Sequence, residues 1–192
     1  MERDQILDVL NDPVAQRLIS SNTPVRFAYT GLDGFPRVVP LSFHWNGSEF
    51  VVSTIPCSAK VRALQANPKV AMTIDTETQP PKVLLVRGLV TVGIVDGVPS
   101  EYIDGSRKLI GEENVAAFEE QVRAMYPQMA KITITPEWAK IHDFETRVPS
   151  AAEEAFNRMS RSSFRSGVEH RHAECSLTGS RRGGVDTSEV WR

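Results

Sequence analysis

Lys60 and Arg62 stand two residues apart, just after Ser58, in the stretch STIPCSAKVRALQANPKV. Ser58 has the residue type of a helix N-cap, Val61 and Leu64 give the following turns an apolar face, and Asn67-Pro68 ends the segment. Both cations then fall in the first turn, where the helix dipole and the unpaired backbone N–H groups favour an anion. A phosphate would satisfy Lys60, Arg62, the Ser58 hydroxyl and those N–H groups together. Ser53 and Thr54, at the end of the preceding strand, emerge beside the same place. Spacing alone equally allows both cations to point into water, where helix-end effects are worth about 0.3–1 kcal/mol.

Other chemistry-bearing residues are scattered. Arg87, inside VLLVRGLV, is a cation in an apolar strand and calls for a specific anion or an exposed face. His44, beside Trp45 near a hairpin, and His142 in KIHDF have the settings of surface or hydrogen-bonded histidines. Cys57 precedes a helix start, which favours a thiolate, but no base accompanies it and it reads as structural. Cys57 and Cys175 match no metal spacing and suggest no disulfide framework. The HRH stretch ending at His172 is a weak metal signal, and no metal is expected. No G-x-S-x-G elbow, H-E-x-x-H or paired catalytic carboxylates occur, so hydrolase chemistry has no visible apparatus. A cofactor enzyme needs little, because the cofactor carries the difficult step.

The elements that must position these residues follow from periodicity. Ile6, Leu7, Leu10, Val14, Leu18 and Ile19 recur at helical spacing, interrupted by NDP, where Asp12 can cap a helix beginning at Pro13. Strands follow. VRFAYT leads through LDGFP into RVVPLSFHW, and Asn46-Gly47 marks a tight hairpin into EFVVST, giving three antiparallel strands in succession. KVAMTID and the long KVLLVRGLVTVGIV read as two more, the second interrupted at Gly88 by a bulge or sharp coil. From about Ser100 to Tyr126 the chain is helical, divided near Gly111, with Val115, Phe118, Glu119, Val122 and Met125 at i, i+3, i+4 spacing. AKITITP and EWAKIHDF return to strand character, separated by a turn at Pro136. A strand as long as 82–95 favours a barrel over a flat sheet, so the expected fold is a mainly β antiparallel barrel of six to seven strands with peripheral helices.

Composition sets the frame. The chain has 192 residues and a net charge of −2, with seven arginines and four acids after Phe156, so the body is acidic and the tail basic. An acidic body argues against general nucleic-acid binding. No apolar run approaches the roughly 20 residues that span a bilayer, and the acidic start is unlike a signal peptide, so a cytoplasmic location and no membrane partner are expected. Residues 1–156 read as one domain. Residues 157–192, rich in Ser, Arg and Gly, cannot bury enough apolar surface to offset ordering entropy and are expected to be disordered.

The order of motifs, from DGFPRVVPLSFHWNGSEFVVSTIPCSAKVRALQANPKVAMTID through the Gly-interrupted VLLVRGLVTV to EWAKIHDF, resembles the pyridoxamine 5′-phosphate oxidase-like superfamily of flavin-binding split β-barrels. It is most similar to the actinobacterial branch that uses flavin mononucleotide (FMN) or the deazaflavin coenzyme F-420. The resemblance covers roughly residues 10–150. It implies that Lys60, helped by Ser58 and Arg62, holds the cofactor phosphate, and that Ser53 and Thr54 contact ribityl or phosphate oxygens. Arg37, Val39, Pro40, Leu41 and Ser42 would run along the ring and offer backbone groups to its polar edge. The family's cofactor lies in a groove between two subunits, which implies a homodimer, with Arg87 and Trp138 reaching the groove from the partner; a tryptophan in the Trp138 setting is more often a core or dimer-interface aromatic. The implied activity is hydride exchange with a small organic substrate. A carrier or sensor of flavin, deazaflavin or haem without turnover is the alternative. The acidic body leans towards FMN, since the polyglutamate tail of the deazaflavin would favour a basic exit.

Overall fold

The computed structural model describes residues 1–146. The tail, with Cys175 and the HRH stretch, lies outside the described residues, as does the end of the expected domain. Two helices open the chain, α1 (Arg3–Leu10) and α2 (Pro13–Ser20). Asp12 caps α2, its Oδ1 accepting the Val14 N–H at 2.8 Å, and Pro13 takes the first helical position, where its missing N–H costs nothing. Seven strands follow: β1 (Val25–Thr30), β2 (Pro36–Leu41), β3 (His44–Trp45), β4 (Phe50–Thr54), β5 (Lys69–Asp75), β6 (Lys82–Asp96) and β7 (Gln128–Asp143). Helix α3 (Ala59–Ala66) joins β4 to β5. Helices α4 (Ser100–Ile110) and α5 (Val115–Met125), linked by a 3-10 turn at Glu112–Asn114, join β6 to β7. Gly111 divides them as expected, at φ +84°.

All seven strands form one antiparallel sheet in the order β2-β1-β5-β6-β7-β4-β3. Its two edges, β2 and β3, are joined through only Ser42 and Phe43. The three peptide steps from Leu41 to His44 reach about 11 Å at most, so the sheet must curl until its edges meet. The fold is therefore a split β-barrel. RVVPLSFHW is not one strand, as its alternation suggests. It breaks at Ser42-Phe43 because its halves pair with different partners, β2 with β1 and β3 with β4. At the crossing the Phe43 side chain enters the core, 1 % exposed, against Phe50. Burying a side chain of that size stabilises by about 1.5–3 kcal/mol and fixes where the chain turns the corner.

Two further expectations are corrected. The segments either side of Pro136 form one continuous strand, β7, because Pro136 falls at the register shift opposite Gly88, where no ladder donor is required. The bulge expected at Gly88 is there. Met125 is 54 % exposed and lies off the buried face of α5, which uses Val115 and Val122.

The main core lies inside the barrel, with Phe27, Phe50, Leu64, Ile74, Leu84, Ile132 and Ile134 almost fully buried. A second cluster of Val98, Ile103, Val115, Val122 and Met129 holds α4 and α5 on the far end of the β6–β7 pair. Helix α4 also lies on β3 and β4, and its Gly105 touches the barrel's closing segment. A Cβ there would stand 2.7 Å from the Phe43 carbonyl carbon and 2.8 Å from its oxygen. Replacing a helical glycine with alanine ordinarily gains about 1 kcal/mol, but overpacking against backbone costs about 1–3 kcal/mol. Gly105→Ala is therefore expected to lower the urea midpoint; a raised midpoint would show that the helix can shift at no cost.

Candidate functional site

The α3 start is built by the turn that leaves β4. Ser58 occupies the N-cap position as its residue type suggests, yet its hydroxyl makes no capping bond, and no acidic residue occupies the first turn. Lys60 turns back towards the strand instead of into water. Its Nζ donates to Thr54 Oγ1 at 3.1 Å, it is half-buried, and burial pulls its pKa below the ordinary lysine value. Among the described residues no carboxylate lies within ion-pair distance of it. A partly desolvated cation held only by a neutral hydroxyl is an unusual arrangement, and an anion is the chemistry that balances it. Arg62, two residues further on, is exposed and forms no ion pair among the described residues.

Ser53 and Thr54 are consecutive in β4, and neighbouring strand residues point to opposite faces. Thr54 meets Lys60. Ser53 Oγ is buried with no hydrogen-bond partner, an arrangement that is rare and costs about 1–3 kcal/mol unless something else satisfies it. Across the ladder Ser53 pairs with Lys131, whose Nζ binds Glu101 of α4 and holds that carboxyl below its usual range.

Arg37 comes to the same helix from the other side. It lines a cavity of about 190 Å³ with Tyr29, Gly31, Asp33, Ala59 and Ala63, so its guanidinium, paired with Asp33 at 2.7 Å, lies near the first residue of α3. Val39 and Leu41 pack on the core, Pro40 is exposed, and Ser42 is half-buried at the barrel closure. Because β2 is an edge strand bonded only to β1, its outer backbone groups are unpaired within the sheet. Arg87 and Trp138 stand opposite each other in the β6–β7 ladder, with the guanidinium carbon 4.2 Å from the indole centroid. With Lys69, Gly88 and Glu137 they line a separate groove of about 380 Å³, which shares no lining residue with the α3 cavity.

Sequence reasoning passed over Glu101, Lys131 and Lys108. Their partners lie 30 to 89 positions away, so no local spacing marks them. His44 is half-buried, His142 stacks against Phe144, and Cys57 is exposed. Among the described residues no three His, Cys, Asp or Glu side chains converge on a metal position, and no helix is long and apolar enough to cross a membrane.

A seven-stranded split barrel with a lysine-bearing helix after its fourth strand defines the class. Among solved structures, the chain is similar to an F420 reductase, at 25 % identity over 65 % of this chain and 94 % of that one, with a TM-score of 0.52. The heme storage protein HutZ from Vibrio cholerae is 16 % identical over 68 % of this chain and 92 % of its own, with a TM-score of 0.49. A protein from Clostridium acetobutylicum, related to general stress protein 26 and assigned to the pyridoxinephosphate oxidase family, is 15 % identical over 74 % and 90 %, with a TM-score of 0.47. No family model and no curated protein sequence matches the chain. The chain has a split β-barrel fold, similar to that of the F420 reductase.

Proposed function

We propose that this protein is an oxidoreductase that holds FMN or the deazaflavin coenzyme F-420 by its phosphate at the start of α3 and exchanges hydride with a small organic substrate. The observation that carries the reading is the half-buried Lys60 ammonium, bonded to Thr54 alone at the mouth of a helix with no acidic first turn. The residues fit a phosphate-bearing group: Lys60, Thr54, the first-turn N–H groups and Ser58 would bind the phosphate and Arg62 would add charge from outside, while Ser53, on the opposite face of β4 from Thr54, would stand apart from it. Arg37, near Ala59, would flank the same oxygens. The open edge of β2 from Val39 to Leu41, with Ser42 just beyond it, would orient the ring. When bound, a flavin-type ring supplies the hydride chemistry; the chain's own contribution is binding, orientation and exclusion of water.

The likeness to an F420 reductase supports the deazaflavin as a candidate beside FMN, against the lean that the acidic body gives. Assembly as a homodimer is part of this reading, with Arg87 and Trp138 supplied by the second copy. It is supported by Leu32, Phe35 and Val38, which stand 63 %, 72 % and 64 % exposed on and beside β2, an apolar patch suited to cover. The reading is tested by titrating the purified protein with each coenzyme, weighing the complex by sedimentation, and then supplying reductant and candidate acceptors in excess. Tight binding of one coenzyme by a two-chain particle that turns over is expected. Binding without turnover of any acceptor would leave a carrier, and no binding of either coenzyme would remove the reading.

A further inference from the structure

The groove of about 380 Å³ beside Arg87 and Trp138 holds charge that no other described residue answers. The Arg87 guanidinium carbon lies 4.2 Å from the indole centroid, so the ring covers one face of the cation and leaves the N–H donors at its rim for a two-oxygen acceptor. Among the described residues Arg87 forms no side-chain hydrogen bond and no ion pair; its neighbour on β5 is Ala71, too short and uncharged to serve. Lys69 stands two residues before Ala71, and therefore on the same face of the sheet, and its ammonium has no ion pair either. The third charge is set by the bulge. Arg87 pairs with Trp138 and Gly88 with Pro136, which leaves Glu137 as the extra residue of β7. A bulge re-aims the side chain it frees, and Glu137 is exposed in the groove with no ion pair among the described residues. Val70 and Gly88, both buried, give the uncharged part of the wall.

Two cations against one carboxylate leave the groove with a single net positive charge. We propose that it binds a flat organic monocarboxylate, the carboxylate forked onto the rim of Arg87 and the flat body packed beside the Trp138 indole. Three features select this class. The paired oxygens of a carboxylate match the guanidinium fork. One negative charge balances the set, whereas a phosphate dianion would set a second charge against Glu137. An aromatic wall and a groove of this volume suit a ring-sized body. The lining residues all belong to one chain, so the site itself needs no second copy. Its role rests on the reading above, in which Arg87 and Trp138 are supplied to the coenzyme of the other copy: the carboxylate is then that of the substrate that exchanges hydride, and the two residues hold the substrate, where the resemblance gives them to the cofactor.

The test uses three probes of one shape, 2-naphthoate, 2-naphthamide and 2-naphthyl phosphate, titrated into the coenzyme-free protein. The readout is the indole N–H resonance of Trp138, assigned by its loss in Trp138→Phe. Naphthoate is expected to bind about tenfold or more tightly than the uncharged amide, and more tightly than the phosphate. Arg87→Lys, which keeps the charge and loses the fork, should weaken naphthoate about tenfold, and Arg87→Ala about 10- to 100-fold. Glu137→Gln should narrow the preference over the phosphate by about two- to fivefold. Equal affinity for acid and amide, a preference for the phosphate, or native affinity in Arg87→Lys overturns the site. The titration is then repeated with saturating FMN or deazaflavin. Coenzyme and naphthoate bound together support the substrate role. Naphthoate binding in a protein that takes up neither coenzyme supports the groove and removes the oxidoreductase reading. Coenzyme binding without naphthoate binding overturns the groove alone, and coenzyme that displaces naphthoate gives the groove to the coenzyme and overturns the proposal.

Discussion

Lys60→Ala is expected to weaken FMN binding by about 10- to 100-fold while leaving riboflavin, which lacks the phosphate, bound as before. The magnitude follows from hydrogen bonds to charged groups, worth about 1.5–3 kcal/mol each. The comparison of two ligands separates anchoring from support. If Lys60 merely braced the turn after β4, both ligands would weaken together, and that result would return Lys60 to a structural role. The fold itself should tolerate the change. Lys60 has one hydrogen bond, to Thr54, and its burial works against its charge, so removing it relieves as much as it costs. A Thr54→Val variant gives the complementary case: the lysine loses its internal partner, keeps its charge, and should keep most of its grip on FMN.

Burial lowers the Lys60 pKa in the ligand-free protein, and an anionic phosphate raises it again on binding. Affinity for a phosphate-bearing coenzyme is therefore fully present below the lowered value and declines as pH rises through it. Affinity plotted against pH should fall through that value, and Lys60→Ala should remove the fall.

What could be read from the sequence was what local chemistry decides. Asp12-Pro13 caps α2 whatever lies beyond it, and Asn46-Gly47 closes the β3–β4 hairpin with Gly47 at φ +96° and Asn46 Oδ1 accepting the Ser48 and Glu49 N–H groups. Ser58 and Asn67 bracket α3 where their residue types place its ends, although the Ser58 hydroxyl makes no capping bond. The break at Ser42-Phe43 could not be read, since alternation continues across it and only the pairing of β2 with β1 and of β3 with β4 imposes the corner. Pro136 misled in the opposite direction. A proline ordinarily argues against a continuous strand, and this one is accepted because Gly88, some fifty residues earlier, leaves room for the bulge. The site divides similarly. The Ser58–Lys60 spacing is local, whereas the Lys60–Thr54 bond, the partnerless Ser53 hydroxyl and the contact of Lys108 with Phe43 depend on how the barrel closes.

Gly88→Ala should be among the most damaging single substitutions in the barrel, costing about 2–4 kcal/mol of stability. A Cβ at Gly88 would lie 2.3 Å from the Thr135 carbonyl oxygen, 3.0 Å from its carbon and 3.2 Å from the Pro136 Cα. All three are backbone atoms of β7, so no side chain can swing aside. The strand cannot retreat easily either, because β6 is paired on both sides, with Val70 of β5 and Pro136 of β7 standing opposite Gly88. Gly93, five residues further along the same strand, supplies the control. It is exposed and a Cβ there meets nothing within 4 Å, so Gly93→Ala should change stability by no more than about 0.5 kcal/mol. Urea unfolding of the two variants decides the matter: equal effects would mean that chain entropy, common to both glycines, outweighs the contact at the bulge. The bulge also sets how Arg87 and Trp138 face each other, since the register shift falls between Arg87 and Gly88. Trp138 fluorescence in Gly88→Ala should therefore change under conditions where the variant is still folded, as the guanidinium leaves the indole face.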